Sequence, residues 1–170
     1  MTDRLVMVDI ETLSTEKNAV ILSIGAVKFG KTINDDTFYR VIDIESCVDA
    51  GLHIDPSTIQ WWKQQSDEAR SIFSEPSIPL RQALVEYSEW CPRDPEMWGN
   101  GSPFDNVIIE SAYKALGMKT PWKFWNDRCY RTIAAISGTE RIQEGTHHNA
   151  LDDAISQAKH LMKILNYADA

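Results

Sequence analysis

The chain has 170 residues, which at about 100–200 residues per domain makes one domain spanning 1–170. Hydrophobic residues at 43% and charged residues at 25% suit a globular chain with a packed core and exclude disorder, collagen and coiled coil. A net charge of −8 argues against a nonspecific nucleic-acid coat, which needs a basic surface, and leaves soluble enzyme, acidic interaction module and metal binder.

Met1 is followed by Thr2, Asp3 and Arg4, which reads as no secretory leader. Leu5 to Glu11 is β-rich and apolar on both faces until its acids begin, as in a central, buried strand. Val20 to Phe29 predicts a second buried strand, with Gly25 allowing a bulge or a close approach. After the Gly30-Lys31 turn, Thr37 to Ile42 predicts a third, and the short links suggest an antiparallel meander. Asp55-Pro56 is an N-cap and first-turn pair for a helix to about Gln64. Ser66 to Phe73 is a shorter helix candidate, and Leu80 to Trp90 keeps helical spacing between flanking prolines. Glu96 to Gly99 is a short strand candidate, and Ser102-Pro103 opens a helix to about Leu116, stopped by Gly117. Lys119 to Gly145 is irregular, with room for one short strand and one short helix. The last helix runs from about Asn149 to Tyr167, with a one-sided stripe through Ala150, Leu151, Ala154, Ile155, Ala158, Leu161, Met162 and Leu165. The order predicts an α/β fold, a mixed sheet with helices on both faces.

No apolar run approaches the roughly 20 residues of a membrane span. Cys47, Cys91 and Cys129 are widely spaced and form neither a disulfide framework nor a zinc pattern, which fits a reducing cytoplasm.

Asp9 and Glu11 lie two apart on a strand, so both side chains leave one face. Two like charges on an inward face need a cation or a proton. The alternative is that the strand ends at Ile10 and both acids are solvated. Asp105 sits in a first helical turn, where Ser102-x-x-Asp105 resembles a capping box and an acid is ordinary. His147, His148, Asp152 and Asp153 open the last helix, and helical geometry does not choose between the two aspartates.

Together these motifs resemble the DEDDh 3′–5′ exonucleases. The first motif is matched by Val8-Asp9-Ile10-Glu11-Thr12 and the Ile21–Val27 strand behind it, the second by Phe104-Asp105, and the third by His148-Asn149-Ala150-Leu151-Asp152-Asp153-Ala154. His147 and Asp152 have the same spacing, but the Ala-Leu-x-Asp-Ala text selects His148 and Asp153. Ser57-Thr58-Ile59-Gln60-Trp61-Trp62-Lys63 looks like a smaller branch, that of phage-type exonuclease A and a mycobacterial exoribonuclease. One departure is that many members carry an Asn four residues before the second-motif Asp, where this chain has Gly101, with Asn100 one earlier.

The resemblance implies an RNase H-like fold and removal of nucleotides from the 3′ end of single-stranded nucleic acid, RNA or DNA. It also implies two divalent ions, and an all-oxygen donor set suits Mg²⁺ or Mn²⁺ rather than Zn²⁺. Asp9 is expected to bridge both ions, Glu11 and Asp153 to complete one site, and Asp105 to reach its ion through water. His148 is expected to act as general base. Thr12 and Leu13 would hold and wedge the terminal nucleotide. Trp61, Trp62 and Phe104 are candidate stacking platforms. Helical spacing pairs Trp62 with Ile59 on one face and makes Trp61 the freer ring. Trp90, Trp98, Trp122 and Trp125 read as core or subunit interface, and several relatives pair as homodimers. Between Ser111 and Arg131 five basic residues face one acid, a phosphate-guiding patch or ordinary solvated surface. The competing readings are an RNase H-type endonuclease and an inactive nucleic-acid or protein-binding module on the same fold.

Overall fold

β1 (Leu5–Thr12) is the middle of a five-stranded sheet ordered β3-β2-β1-β4-β5. The structure is a computed structural model and describes residues 4–166. The opening Met1–Asp3 and the predicted helix end at Tyr167 lie outside the described residues. β2 (Ile21–Phe29) and β3 (Ile33–Val41) run antiparallel as the predicted meander, with β3 beginning earlier than Thr37. β4 (Glu96–Gly99) and β5 (Asp127–Cys129) are parallel to β1 and to each other, respectively, so the sheet is mixed.

Between β3 and β4 come α1 (Ile44–Asp49), α2 (Pro56–Lys63), α3 (Asp67–Arg70) with a 3₁₀ turn (Ser71–Ser74), and α4 (Leu80–Trp90). α1 has no counterpart in the sequence reading. Its one buried residue, Cys47, is too little for a periodic signal, and Asp43 starts it by accepting the Ser46 N–H. Asp55 caps α2 as predicted, accepting the Ser57 N–H at 2.8 Å. α5 (Asp105–Ala115) follows β4, α6 (Tyr130–Ser137) follows β5, and α7 (Ala150–Ile164) closes the fold behind its Asn149 cap.

The start of α5 differs from the sequence reading. Ser102 is not the cap: Phe104 precedes the helix without a side-chain cap bond, and the Asp105 N–H reaches the Gly101 carbonyl. Asp105 is therefore the first helical residue, and its carboxylate is free for work other than capping.

The pleat of β1 sorts the two layers. Val6, Val8 and Ile10 face the larger core, with Tyr87 of α4 and Ile108, Ile109 and Tyr113 of α5. Met7 faces the other way, joining Val27, Trp98, Tyr130 and Leu161 under α6 and α7. Asp9 and Glu11 continue the Met7 face, so the acids emerge under the start of α7. Trp98 and Trp122 are core, whereas Trp125 is 60% exposed beside the exposed Phe124 and is not core. Cys47, Cys91 and Cys129 are free thiols. No helix among the described residues is long and apolar enough to cross a membrane.

Candidate active site

Two glycines bring two helices to one spot. Gly25 pairs with Asp9 across β1 and β2, and a Cβ there would lie 2.2 Å from the Ala150 carbonyl carbon and the Leu151 nitrogen. Gly99, at the end of β4, leaves room for Asn106, whose Oδ1 would be 2.4 Å from a Cβ, and for Asp105. The first turns of α7 and α5 thus converge on the C-terminal end of β1 from opposite layers. Acids in first turns are favoured by the helix dipole, which offsets part of the cost of gathering them.

Asp9, Glu11, Asp105 and Asp153 are 8%, 7%, 2% and 5% exposed. One oxygen from each of Asp9, Glu11 and Asp153 lies within 4.8 Å of the others. Asp105 stands apart from that trio, and its Oδ1 accepts the Ile10 N–H at 3.3 Å. Burial first, then the charges of Asp105 and Asp153, holds the Asp9 carboxyl well above the usual carboxylate range. Burial and the Asp9 charge do the same to Glu11. Burial pushes Asp105 up to about 7. A site that resists its own negative charge this strongly calls for a counter-ion.

Buried acceptors without donors fit that demand. Asp105 Oδ2, Gln143 Oε1 and Gln157 Oε1 are all buried and unpaired among the described residues. Buried polar atoms are ordinarily paired. Hydrated divalent cations offer both positive charge and water hydrogens, and the donors on hand are oxygens, so the residues fit Mg²⁺ or Mn²⁺.

The acids floor a cleft of about 580 Å³ lined also by Thr12, Trp61, Phe104, His147 and His148. His148 has a positive φ of 65°, a conformation that non-glycine residues keep only when their surroundings enforce it. Its N–H donates to Asp153 Oδ2 at 3.0 Å, and its ring meets Trp61 edge to face at 4.9 Å between centroids. Burial, then the neighbouring His147, lowers the His148 pKa against the pull of Asp153, which favours the neutral imidazole.

The structure separates the two aspartates that sequence geometry left equal. Asp153 points into the cleft, while Asp152 accepts the Thr146 N–H at 2.8 Å and packs where Gly145 has no side chain. Both histidines line the cleft, and His147 Nδ1 is 3.4 Å from Asp153 Oδ1.

Trp61 is 40% exposed on the cleft wall, whereas Trp62 is buried and donates its indole N–H to the Thr12 carbonyl at 2.9 Å. Thr12 lines the cleft, but Leu13 is buried and faces a separate apolar groove of about 370 Å³ with Ile59, Trp62 and Phe73. The cleft therefore brings together every predicted site residue except Leu13. The basic stretch is largely neutralised: Lys114 pairs with Glu110, Lys123 with Asp94 and Arg128 with Glu96. Of its five cations Arg131 reaches the cleft, where its Nε donates to Asn100 Oδ1 at 3.4 Å. Asn100 thus lines the cleft although it sits one position early, the chain turning through Gly101 at φ 100°.

Two cleft residues, Gln157 and Arg141, escape the sequence reading, as does Gln143 beside Asp153. Gln157 donates to Asp9 Oδ1 at 2.9 Å and Gln143 to Asp153 Oδ1 at 2.8 Å. Arg141 lines the cleft, and its charge works against the raised pKa of Asp9. Gln157 follows Asp153 by one helical turn and so shares its face, but the periodicity does not show that Asp9 lies opposite.

Over residues 4–165 the chain matches the family described as the 3′–5′ exoribonuclease Rv2179c-like domain. It is 23% identical over 161 residues to the exodeoxyribonuclease of Enterobacteria phage T4, an alignment taking in 74% of this chain and 68% of the phage enzyme. The nuclease domain of 3′hExo, a DEDDh family member bound to rAMP, shares the fold with a TM-score of 0.61 at 15% identity, over 96% of this chain and 92% of that one. Cell-death related nuclease 4 (CRN-4) gives 0.56 at 12%, over 96% and 64%. S. pombe Pop2p, in a form with Mg²⁺ and Mn²⁺ bound, gives 0.55 at 14%, over 98% and 85%. These likenesses make the mixed sheet with its helices an RNase H-like nuclease fold.

Proposed function

The chain belongs to the Rv2179c-like 3′–5′ exoribonuclease domain family, and from that premise we propose a two-metal-ion reaction that releases nucleotides from the 3′ end of single-stranded nucleic acid. The observation that carries the mechanism is the trio of buried carboxylates within 4.8 Å, with Asp105 and a His–Trp wall beside them.

Asp9 is suited to bridge two Mg²⁺ or Mn²⁺ ions, Glu11 and Asp153 to complete one site, and Asp105, set back from the trio, to act through water. When bound, the ions supply charge stabilisation at the phosphate and its leaving oxygen. His148, neutral and held by Asp153, takes the proton of the attacking water. A bond from the water oxygen to phosphorus forms as the bond from phosphorus to the 3′ oxygen of the preceding nucleotide breaks; that oxygen takes a proton from solvent and leaves as the new 3′ hydroxyl, freeing a nucleoside monophosphate. Trp61 and Phe104 offer faces for the terminal bases, and Thr12 borders them. Arg131 and Arg141, the two arginines lining the cleft, are suited to meet a backbone phosphate. Leu13 acts as a wedge only if the Thr12–Leu13 corner, tied to Trp62, opens toward the cleft.

The family's description points to RNA and the phage relative's name to DNA. Matched 3′-labelled RNA and DNA, single-stranded, overhanging and circular, digested with Mg²⁺, Mn²⁺ or EDTA, test the reading. Release of 3′-terminal nucleotides from linear strands, abolished by EDTA, is the expected result. Cutting of circles would make it an endonuclease. Sedimentation of the same protein tests the homodimer that the resemblance implies.

A further inference from the structure

Gln157 is 1% exposed and half-satisfied. Its Nε2 donates to Asp9 Oδ1 at 2.9 Å, while Oε1 finds no donor among the described residues. Against the ionised Asp9 that a bound cation requires, a flipped amide would set acceptor against acceptor, so the metal-loaded site fixes this orientation. A buried amide that fills only a space in α7 has no reason to keep an unpaired carbonyl, since an unmet acceptor costs more than an apolar side chain of the same shape. Gln143 repeats the pattern at the other edge: Nε2 donates to Asp153 Oδ1 at 2.8 Å, and its Oε1 is buried and unpaired among the described residues. Two amides from different segments, a helix and the loop before it, thus each grip one carboxylate of the trio and each present a spare acceptor.

We propose that Gln157 is a positioning residue for the metal site, its amide N–H fixing the Asp9 carboxylate and its carbonyl accepting a hydrogen from the water of a bound cation. Gln143 does the same for Asp153. The inference rests on the reading of the four acids as a two-cation site and adds the partners that orient them. Such partners of metal ligands typically govern about 10–100-fold in metal affinity or activity. Gln157 touches no part of the substrate in this role, so its effect falls on the ions and not on the strand.

The test is Mn²⁺ titration of the full chain by calorimetry, alongside Gln157→Met, which keeps the length without the amide. The expected result is Mn²⁺ binding weaker by about 10–100-fold, with the KM for a 3′-labelled oligonucleotide at saturating Mn²⁺ unchanged. Gln157→Asn, which keeps the amide but falls short of Asp9, is the second variant and is expected to weaken Mn²⁺ likewise, so the test survives if the Met variant does not fold. Unchanged Mn²⁺ affinity in either folded variant, even with a lower melting temperature of the EDTA-treated protein, assigns Gln157 to packing and overturns the proposal. If the unsubstituted chain itself binds no Mn²⁺, the two-cation reading falls first and takes this one with it.

Discussion

Asp9 and Gly25 face each other across β1 and β2, and the side chain that Gly25 lacks is what lets the first turn of α7 descend beside Asp9. The backbone at Ala150 and Leu151 occupies the space a Cβ would need, so the contact is with atoms that cannot rotate away. Gly25→Ala therefore forces α7 off the sheet. The expected cost is that of an overpacked core, about 1–3 kcal/mol, read as a lower denaturant midpoint. Because the displaced turn carries Asp153, kcat and Mn²⁺ affinity should fall as well. A Gly25→Ala protein with unaltered stability and activity would mean that α7 does not rest on this strand.

Much of this arrangement is written in the sequence because it depends on local periodicity. Alternation fails in Leu5 to Ile10 because both faces are buried, and that marks the central strand. Leu80 to Trp90, Glu96 to Gly99 and the Asn149 cap are likewise local signals. What was not legible depends on distant pairs. Gln157 is an ordinary helical residue until Asp9, 148 positions away, is folded against it. Leu13 follows the first motif in sequence, yet the Trp62 indole holds the Thr12 carbonyl and the chain turns Leu13 into the apolar groove. The basic stretch, open in sequence between a phosphate-guiding patch and solvated surface, leans to the second for the same reason, since Asp94 and Glu96, which pair with Lys123 and Arg128, come from before the counted stretch.

Trp61 serves two neighbours, the cleft and His148. Trp61→Ala should raise the KM for a single-stranded oligonucleotide by the loss of one stacked base, about 1–3 kcal/mol or roughly 5- to 150-fold. It should also lower kcat, because the imidazole loses the ring that stands edge to face with it. Steady-state kinetics on a 3′-labelled strand separates the two. A fall in kcat with KM unmoved would assign Trp61 to holding the histidine alone.

His148 and His147 both approach Asp153, but only His148 combines a backbone bond to that carboxylate with a ring packed on Trp61. A positioned general base contributes about 10²–10⁴-fold. His148→Ala should lower kcat by that order and leave Mn²⁺ affinity near that of the parent. His147→Ala, on the more exposed ring, should cost much less. If the larger loss follows His147, the proton acceptor is His147 instead.

Without metal, the acids make the fold itself sensitive to pH. Asp9 and Glu11 have pKa values raised well above normal, and Asp105 titrates at about 7 instead of in the ordinary carboxylate range. A folded-state pKa above the unfolded value means that the native chain holds its protons more tightly than the unfolded chain does. The stabilising contribution is complete below the unfolded carboxylate pKa, and it is lost as pH rises through the folded values. EDTA-treated protein should therefore melt at a higher temperature near about pH 5.5 than near about pH 8.5. Divalent cations act on the opposite side, because they bind the ionised carboxylates and compete with protons. Adding Mg²⁺ or Mn²⁺ should thus raise the melting temperature strongly at the alkaline end and little at the acid end. Asp105→Asn supplies the control, since it removes the group titrating at about 7 and should flatten the upper part of the metal-free profile. A metal-free melting temperature that instead climbs with pH across this window would show that the carboxylates are ionised in the folded chain without a counter-ion, against the physics of their burial.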